Sequence, residues 1–102
     1  MTQTAKSDLT LCIDLGNSNL YAGIYDKAEN ILLRFRKASS QGASADEYGI
    51  FLKAAIRENG IDPARIDRIG ICSVVPDAVY SMRRACTKYF DREPFLDRKS
   101  VV

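Results

Sequence analysis

The stretch 9–25 leaves a chain of this kind few ways to fold. Leu9-Thr10-Leu11-Cys12-Ile13 has the unbroken apolar and β-branched character of a strand buried on both faces, whereas Leu20, Ala22 and Ile24 alternate with Tyr21, Gly23 and Tyr25. The pattern predicts two strands joined by the polar run Asp14-Leu15-Gly16-Asn17-Ser18, with Asn19 opening the second. That run gathers a carboxylate, a glycine, an amide and a hydroxyl, where a plain hairpin needs only one or two turn residues. It can serve a phosphate: Gly16 for close backbone approach, Asn17 and Ser18 for hydrogen bonds, Asp14 for a Mg²⁺ ion. It is equally the composition of a hairpin whose Gly and Asn tolerate positive φ, and the pentapeptide leaves both readings open. It has neither the spacing of a Walker A loop nor that of GxGxxG.

Composition removes other chemistries. With 102 residues the chain holds one domain with a real core, and 46% hydrophobic with 27% charged residues is ordinary globular composition. A net charge of +2 argues for neither nucleic acid nor membrane as a partner. The polar segment 1–8 has no signal-peptide core, no run approaches the roughly 20 apolar residues of a membrane span, and a cytoplasmic location is the expectation. Cys12, Cys72 and Cys86 are odd in number, lack CxxC spacing and sit in apolar patterns, so they are expected to be reduced core thiols. The absence of histidine excludes His-based general base catalysis and His metal sites.

Downstream, Asp26 to Asn30 is a polar connection, and Ile31, Leu33 and Phe35 alternate with Leu32, Arg34 and Arg36 in a third, half-buried strand. A polar loop over 37–43 leads to Ser44-Ala45-Asp46-Glu47, an S-x-x-E capping box that opens a helix. Tyr48, Phe51, Leu52, Ala55 and Ile56 form its apolar stripe, and Asn59-Gly60 supplies a left-handed stop. Asp62-Pro63 predicts a single capped turn. Arg68 to Val75 reads as a buried strand ended by Pro76, and a second helix over 77–90 carries Val79, Met82, Cys86, Tyr89 and Phe90 inward with Arg83, Arg84 and Lys88 toward solvent. Glu93 to Leu96 opens a fifth strand. A helix crossover sets its flanking strands parallel, so the fourth strand is expected beside the first, bringing Asp14 and Ser73-Val74-Val75-Pro76 to one sheet edge where ligands of open α/β sheets bind.

Three segments together resemble type III pantothenate kinase: Cys12-Ile13-Asp14-Leu15-Gly16-Asn17-Ser18-Asn19, Ala45-Asp46-Glu47-Tyr48-Gly49, and Ile71-Cys72-Ser73-Val74-Val75-Pro76 with a helix ending in Lys88-Tyr89-Phe90. They match in order and spacing over about residues 9–96, which is more specific than the DxGN[ST] motif shared by many actin-like ATPases and sugar kinases. The resemblance implies an α/β fold, the ribonuclease H-like βββαβαβ half of an actin-like ATPase, with a mixed sheet, an antiparallel meander and helix crossovers. It implies transfer of the ATP γ-phosphate to the primary hydroxyl of pantothenate, the first step of coenzyme A synthesis, with Mg²⁺ and a monovalent cation, K⁺ or NH₄⁺, in a homodimer. By analogy Asp14, Leu15, Gly16, Asn17, Ser18 and Asn19 form the first phosphate loop, Asp14 is the metal-associated carboxylate, and Ser73, Val74 and Pro76 floor the cleft. For Asp46 and Glu47 a capping role is the simpler expectation.

Family members are more than twice this long, and their GxDR motif, which carries the substrate-deprotonating carboxylate, follows the matched region. No GxDR occurs here, and Asp67-Arg68 precedes the Ser-Val-Val-Pro strand and does not stand in for it. No catalytic residue is therefore assigned, and this polypeptide alone is expected to be inactive. The expected organisation is a disordered extension over 1–8, a domain over 9–96 and a foreign tail over 97–102, whose residues back-translate to a sequence like library adaptor. Two alternatives stand beside the kinase: a transcriptional regulator of the same fold, close to the Bvg accessory factor, and a non-catalytic binding module.

Overall fold

The computed structural model describes residues 8–38, 42–73 and 75–98. Three strands form a meander, β1 (Leu9–Leu15), β2 (Asn19–Tyr25) and β3 (Ile31–Ala38). Helix α1 (Ala45–Glu58), a 3₁₀ turn (Pro63–Arg65), β4 (Ile66–Ser73), α2 (Pro76–Phe90) and β5 (Phe95–Arg98) follow. The five strands lie in the order β3-β2-β1-β4-β5. β1 is antiparallel to β2 and parallel to β4, as the crossover rule requires, and β5 joins β4 in parallel.

Local chemistry fixes the helix ends. At α1 the Ser44 hydroxyl accepts from the Glu47 N–H (3.1 Å) while the Glu47 carboxylate accepts from the Ser44 N–H (3.2 Å), closing the expected box. Gly60, at φ +84°, supplies the left-handed stop. Asp62 accepts from the Ala64 N–H (2.9 Å) and caps the 3₁₀ turn behind Pro63. The turn is tied back to the start of β1 by the Arg65 guanidinium, which donates twice to the Asp8 carboxylate, 3.0 Å each.

One core holds the molecule together. Leu9, Leu11, Ile13 and Leu15 of β1 pack with Leu20 and Ile24 of β2, Ile69 and Ile71 of β4, Leu52 and Ile56 of α1 and Met82 and Cys86 of α2. Both helices cover the same sheet face, and this corrects the sequence reading in two respects. β1 is buried on one face only: Thr10 and Asp14 are half-buried and Cys12 is exposed on the other. Of the three cysteines only Cys86 is a core thiol, its pKa pushed up to about 12 by burial and the nearby Glu93 carboxylate; Cys72 is half-exposed. A run of apolar residues does not distinguish a strand covered on both faces from one covered on a single face.

Smaller departures have local causes. β4 starts at Ile66 and stops at Ser73, two residues earlier at each end than expected. The Ser73 hydroxyl accepts the Val75 N–H (2.9 Å) and so turns the chain out of the ladder; Val75 becomes the N-cap of α2 rather than a strand residue. Val74 lies outside the described residues, as do segments 1–7, 39–41 and 99–102. On edge strand β3, Ile31 is exposed while Leu33 and Phe35 are half-buried, Phe35 meeting Phe51 edge-on at 5.7 Å. β5 is displaced two residues beyond the expected strand opening and includes positions 97 and 98. Among the described residues no helix is long and apolar enough to cross a membrane.

Candidate phosphate-binding turn

Register places the candidate residues. Asp14 and Leu15 are the last residues of β1, Asn19 is the first of β2, and the turn itself is Gly16-Asn17-Ser18. It is closed by the Gly16 N–H donating to the Asn19 carbonyl at 2.9 Å. Asn17 and Ser18 at its tip are exposed, and Gly16 is half-buried. Leu15 pairs with Ser73 on parallel β4, so the turn and the start of α2 share the carboxyl edge of the sheet. Pro76 stands at the first turn of α2, whose N-cap, Val75, provides no side-chain hydrogen bond.

The turn does not use its glycine for an unusual backbone angle. Positive φ occurs at Glu29, Gly42, Gly60 and Asp91 and not at Gly16 or Asn17, so the requirement of a plain hairpin for left-handed residues is missing. A Cβ at Gly16 would lie 3.4 Å from the Asn19 carbonyl oxygen, an ordinary contact. What glycine leaves there is an uncovered backbone, which is what close approach of a phosphate needs.

Asp14 lies across β1 from Tyr21 on one side and Cys72 on the other, and it lines the groove that runs over the uncovered sheet face. Among the described residues no three His, Cys, Asp or Glu side chains gather as a metal cage. A carboxylate at a strand end, outside any such cage, suits a Mg²⁺ ion that keeps its waters and arrives on phosphate oxygens, and it does not suit a metal held by protein ligands alone. The donor set thus fits a nucleotide-borne ion.

The second sequence segment divides its work differently from expectation. Glu47 caps α1, but Asp46 does not: its carboxylate accepts from the Lys88 ammonium and the Tyr89 hydroxyl, both at 2.7 Å. The Lys88 hydrogen bond, followed by that from Tyr89, holds the Asp46 carboxyl below its ordinary pKa. This pair of residues from α2 was legible as a helix ending, not as the partner of Asp46. Arg83 and Arg84 are likewise not merely solvated, Arg83 pairing with Glu93 and Arg84 lying 5.8 Å from the Tyr80 ring centroid.

The family model described as type III pantothenate kinase matches residues 10–101. This chain belongs to the type III pantothenate kinase family. The enzyme of that name from Legionella pneumophila (strain Corby) is 53% identical over 93 residues, 91% of this chain and 36% of the relative. The one from Elusimicrobium minutum is 41% identical over 88 residues, 86% and 34% respectively. The chain thus spans about a third of the length of the curated relatives it matches. Among solved structures, the ROK hexokinase of Thermus thermophilus superposes with a TM-score of 0.64 at 20% identity, over 88% of this chain and 33% of that one. A Bacteroides thetaiotaomicron protein with an actin-like ATPase fold gives 0.64 at 10% identity, over 90% and 33%. At such identities the likeness is one of fold: a mixed α/β sheet of the actin-like ATPase and sugar kinase type.

Proposed function

We propose that this chain carries the first phosphate loop of an ATP-dependent kinase that phosphorylates pantothenate. The observation that carries the reading is a glycine turn with no positive φ, at the carboxyl edge of the sheet, within a family match covering residues 10–101. Asn17 and Ser18 donate to phosphate oxygens, the bare backbone at Gly16 admits them, and Asp14 orients the ion that accompanies the nucleotide. Leu15 and Asn19 fix the two ends of the loop in the sheet. A Mg²⁺ ion bound with ATP supplies charge neutralisation at the transferring phosphoryl group. The monovalent cation, the homodimer and the cytoplasmic setting belong to the same proposal, as does a cleft floor formed by Ser73, Val74 and Pro76.

Phosphoryl transfer depends on positioning and charge neutralisation, so binding is separable from turnover. The 102 residues hold the loop without the GxDR carboxylate that the resemblance assigns to substrate deprotonation. Titration calorimetry with ATP and Mg²⁺ is expected to give saturable heat that Asp14→Asn abolishes. Absence of heat at millimolar protein would remove the phosphate-loop reading. Incubation with ATP, Mg²⁺, K⁺ and pantothenate is expected to give no turnover, and phosphopantothenate above background would overturn the proposed inactivity.

A further inference from the structure

One cross-strand row on the sheet face opposite the helices runs into the candidate site. Asp14 of β1 pairs with Tyr21 of β2, and Tyr21 pairs with Arg36 of β3. All three line the groove of about 620 Å³ on that face, where Tyr21 and Arg36 are exposed. Arg36 stands two residues before Ala38, which pairs with Asn19 at the end of the turn. Its backbone is thus about 7 Å below the turn, within reach of its long side chain. Arg65, Arg83 and Arg92 are committed to ion pairs with Asp8, Glu93 and Asp67, whereas Arg36 has no ion-pair partner among the described residues.

We infer that Arg36 is a phosphate-binding residue, taking oxygens of the metal-bound nucleotide on the side that the ion leaves uncovered. The inference rests on the phosphate-loop reading above and adds what that loop lacks. Asp14-Leu15-Gly16-Asn17-Ser18-Asn19 contains no Lys or Arg, so the turn offers neutral donors and a carboxylate but no cation. A triphosphate carries more negative charge than one Mg²⁺ ion neutralises, and phosphoryl transfer depends on that neutralisation. Asp14 and Arg36 lie two strands apart, about 10 Å, with Tyr21 between them. That span admits an ion beside the carboxylate and a phosphate on the guanidinium. A guanidinium stays charged at any working pH, and its forked N–H donors match two phosphate oxygens at once. Arg34 is the internal contrast. It lies on the same groove but pairs with Gly23, two residues farther from the edge and about 14 Å below the turn. It reads as the charge that an edge strand ordinarily carries.

The test is titration calorimetry of the 102-residue chain with Mg²⁺ and either ATP or inorganic tripolyphosphate. Arg36→Gln is expected to weaken both at least about tenfold, and Arg34→Gln to leave both within about twofold. Urea unfolding of Arg36→Gln should match the parent chain, since the side chain is exposed. Should that variant unfold, Arg36→Lys decides: it keeps the charge, loses the fork, and is expected to bind several-fold more weakly. Unchanged affinity in the folded Arg36 variant would overturn the inference. Equal losses in Arg34→Gln and Arg36→Gln would mark a diffuse field in place of a contact and overturn it as well. A loss with ATP but not with tripolyphosphate would put Arg36 on the nucleoside, with the same result. The two readings fail separately. No heat from the parent chain removes the phosphate loop and Arg36 with it, whereas heat that Asp14→Asn abolishes and Arg36→Gln leaves intact removes Arg36 alone.

Discussion

The Tyr89 ring of α2 lies against the Cα of Gly49 in α1, leaving no room for a side chain. A Cβ at Gly49 would collide with Cδ2 and would sit 2.5 Å from Cγ, the root of the ring, which flipping the ring about its own axis does not move. The same tyrosine donates its hydroxyl to Asp46, one helical turn before Gly49. Gly49→Ala therefore gains the helical preference of alanine, up to about 1 kcal/mol, and loses it to overpacking of about 1–3 kcal/mol. Net destabilisation in urea unfolding is expected, and it should shrink in the double variant with Tyr89→Ala, because the two residues share one contact. Additive losses would contradict the packing.

The Asp46 contacts make an acid-sensitive joint between the helices. Hydrogen bonds from Lys88 and then Tyr89 depress the Asp46 pKa below its ordinary value of 3.8. A carboxyl whose folded pKa is lowered contributes stability that is complete above its unfolded pKa and is lost as pH falls through the folded one. Asp26 behaves likewise, held down by the backbone and side chain of Asn30. The urea midpoint should therefore fall below about pH 4, and Asp46→Asn should flatten part of that slope while lowering the midpoint at pH 7. An acid limb unchanged in Asp46→Asn would show that this joint contributes nothing.

The one-sided sheet can be checked on a single strand. Leu11 is fully buried, and its neighbour Cys12 is exposed. Leu11→Ala should cost about 2–5 kcal/mol, whereas Cys12→Ala should stay within about 0.5 kcal/mol. Comparable losses at both positions would mean that β1 is covered on both faces in the isolated chain.

Gly16 separates folding from binding. Because its φ is not positive and an added Cβ meets only an ordinary contact, Gly16→Ala should leave the unfolding midpoint unchanged. If the turn cradles phosphate, the same methyl should weaken ATP binding at least about tenfold, some 1.4 kcal/mol. A variant that unfolds more readily yet binds ATP normally would return the turn to a plain hairpin.

Most of the architecture was legible because the signals are local. The alternation in 20–25, the Ser44–Glu47 box, Gly60 and Asp62-Pro63 each fix backbone geometry through neighbours a few residues away. The parallel placement of β4 beside β1 followed from the handedness of crossovers, which depends on chain chirality rather than on particular contacts. The motif at 14–18 offered residue types that suit a phosphate and left a plain hairpin equally open.

What tertiary structure decided is which surfaces meet. Hydropathy marks Cys12, Cys72 and Cys86 alike, yet only Cys86 is buried, because burial depends on both helices choosing the same face of the sheet. Asp46 reads as a helix-start residue until α2 brings Lys88 and Tyr89 to it from more than 40 positions away. The sequence by itself determined the elements, their order and the composition of the phosphate-competent turn, since those rest on interactions within a few residues. The side of the sheet left bare and the partner of Asp46 rest on contacts between distant segments, and only the folded chain sets them.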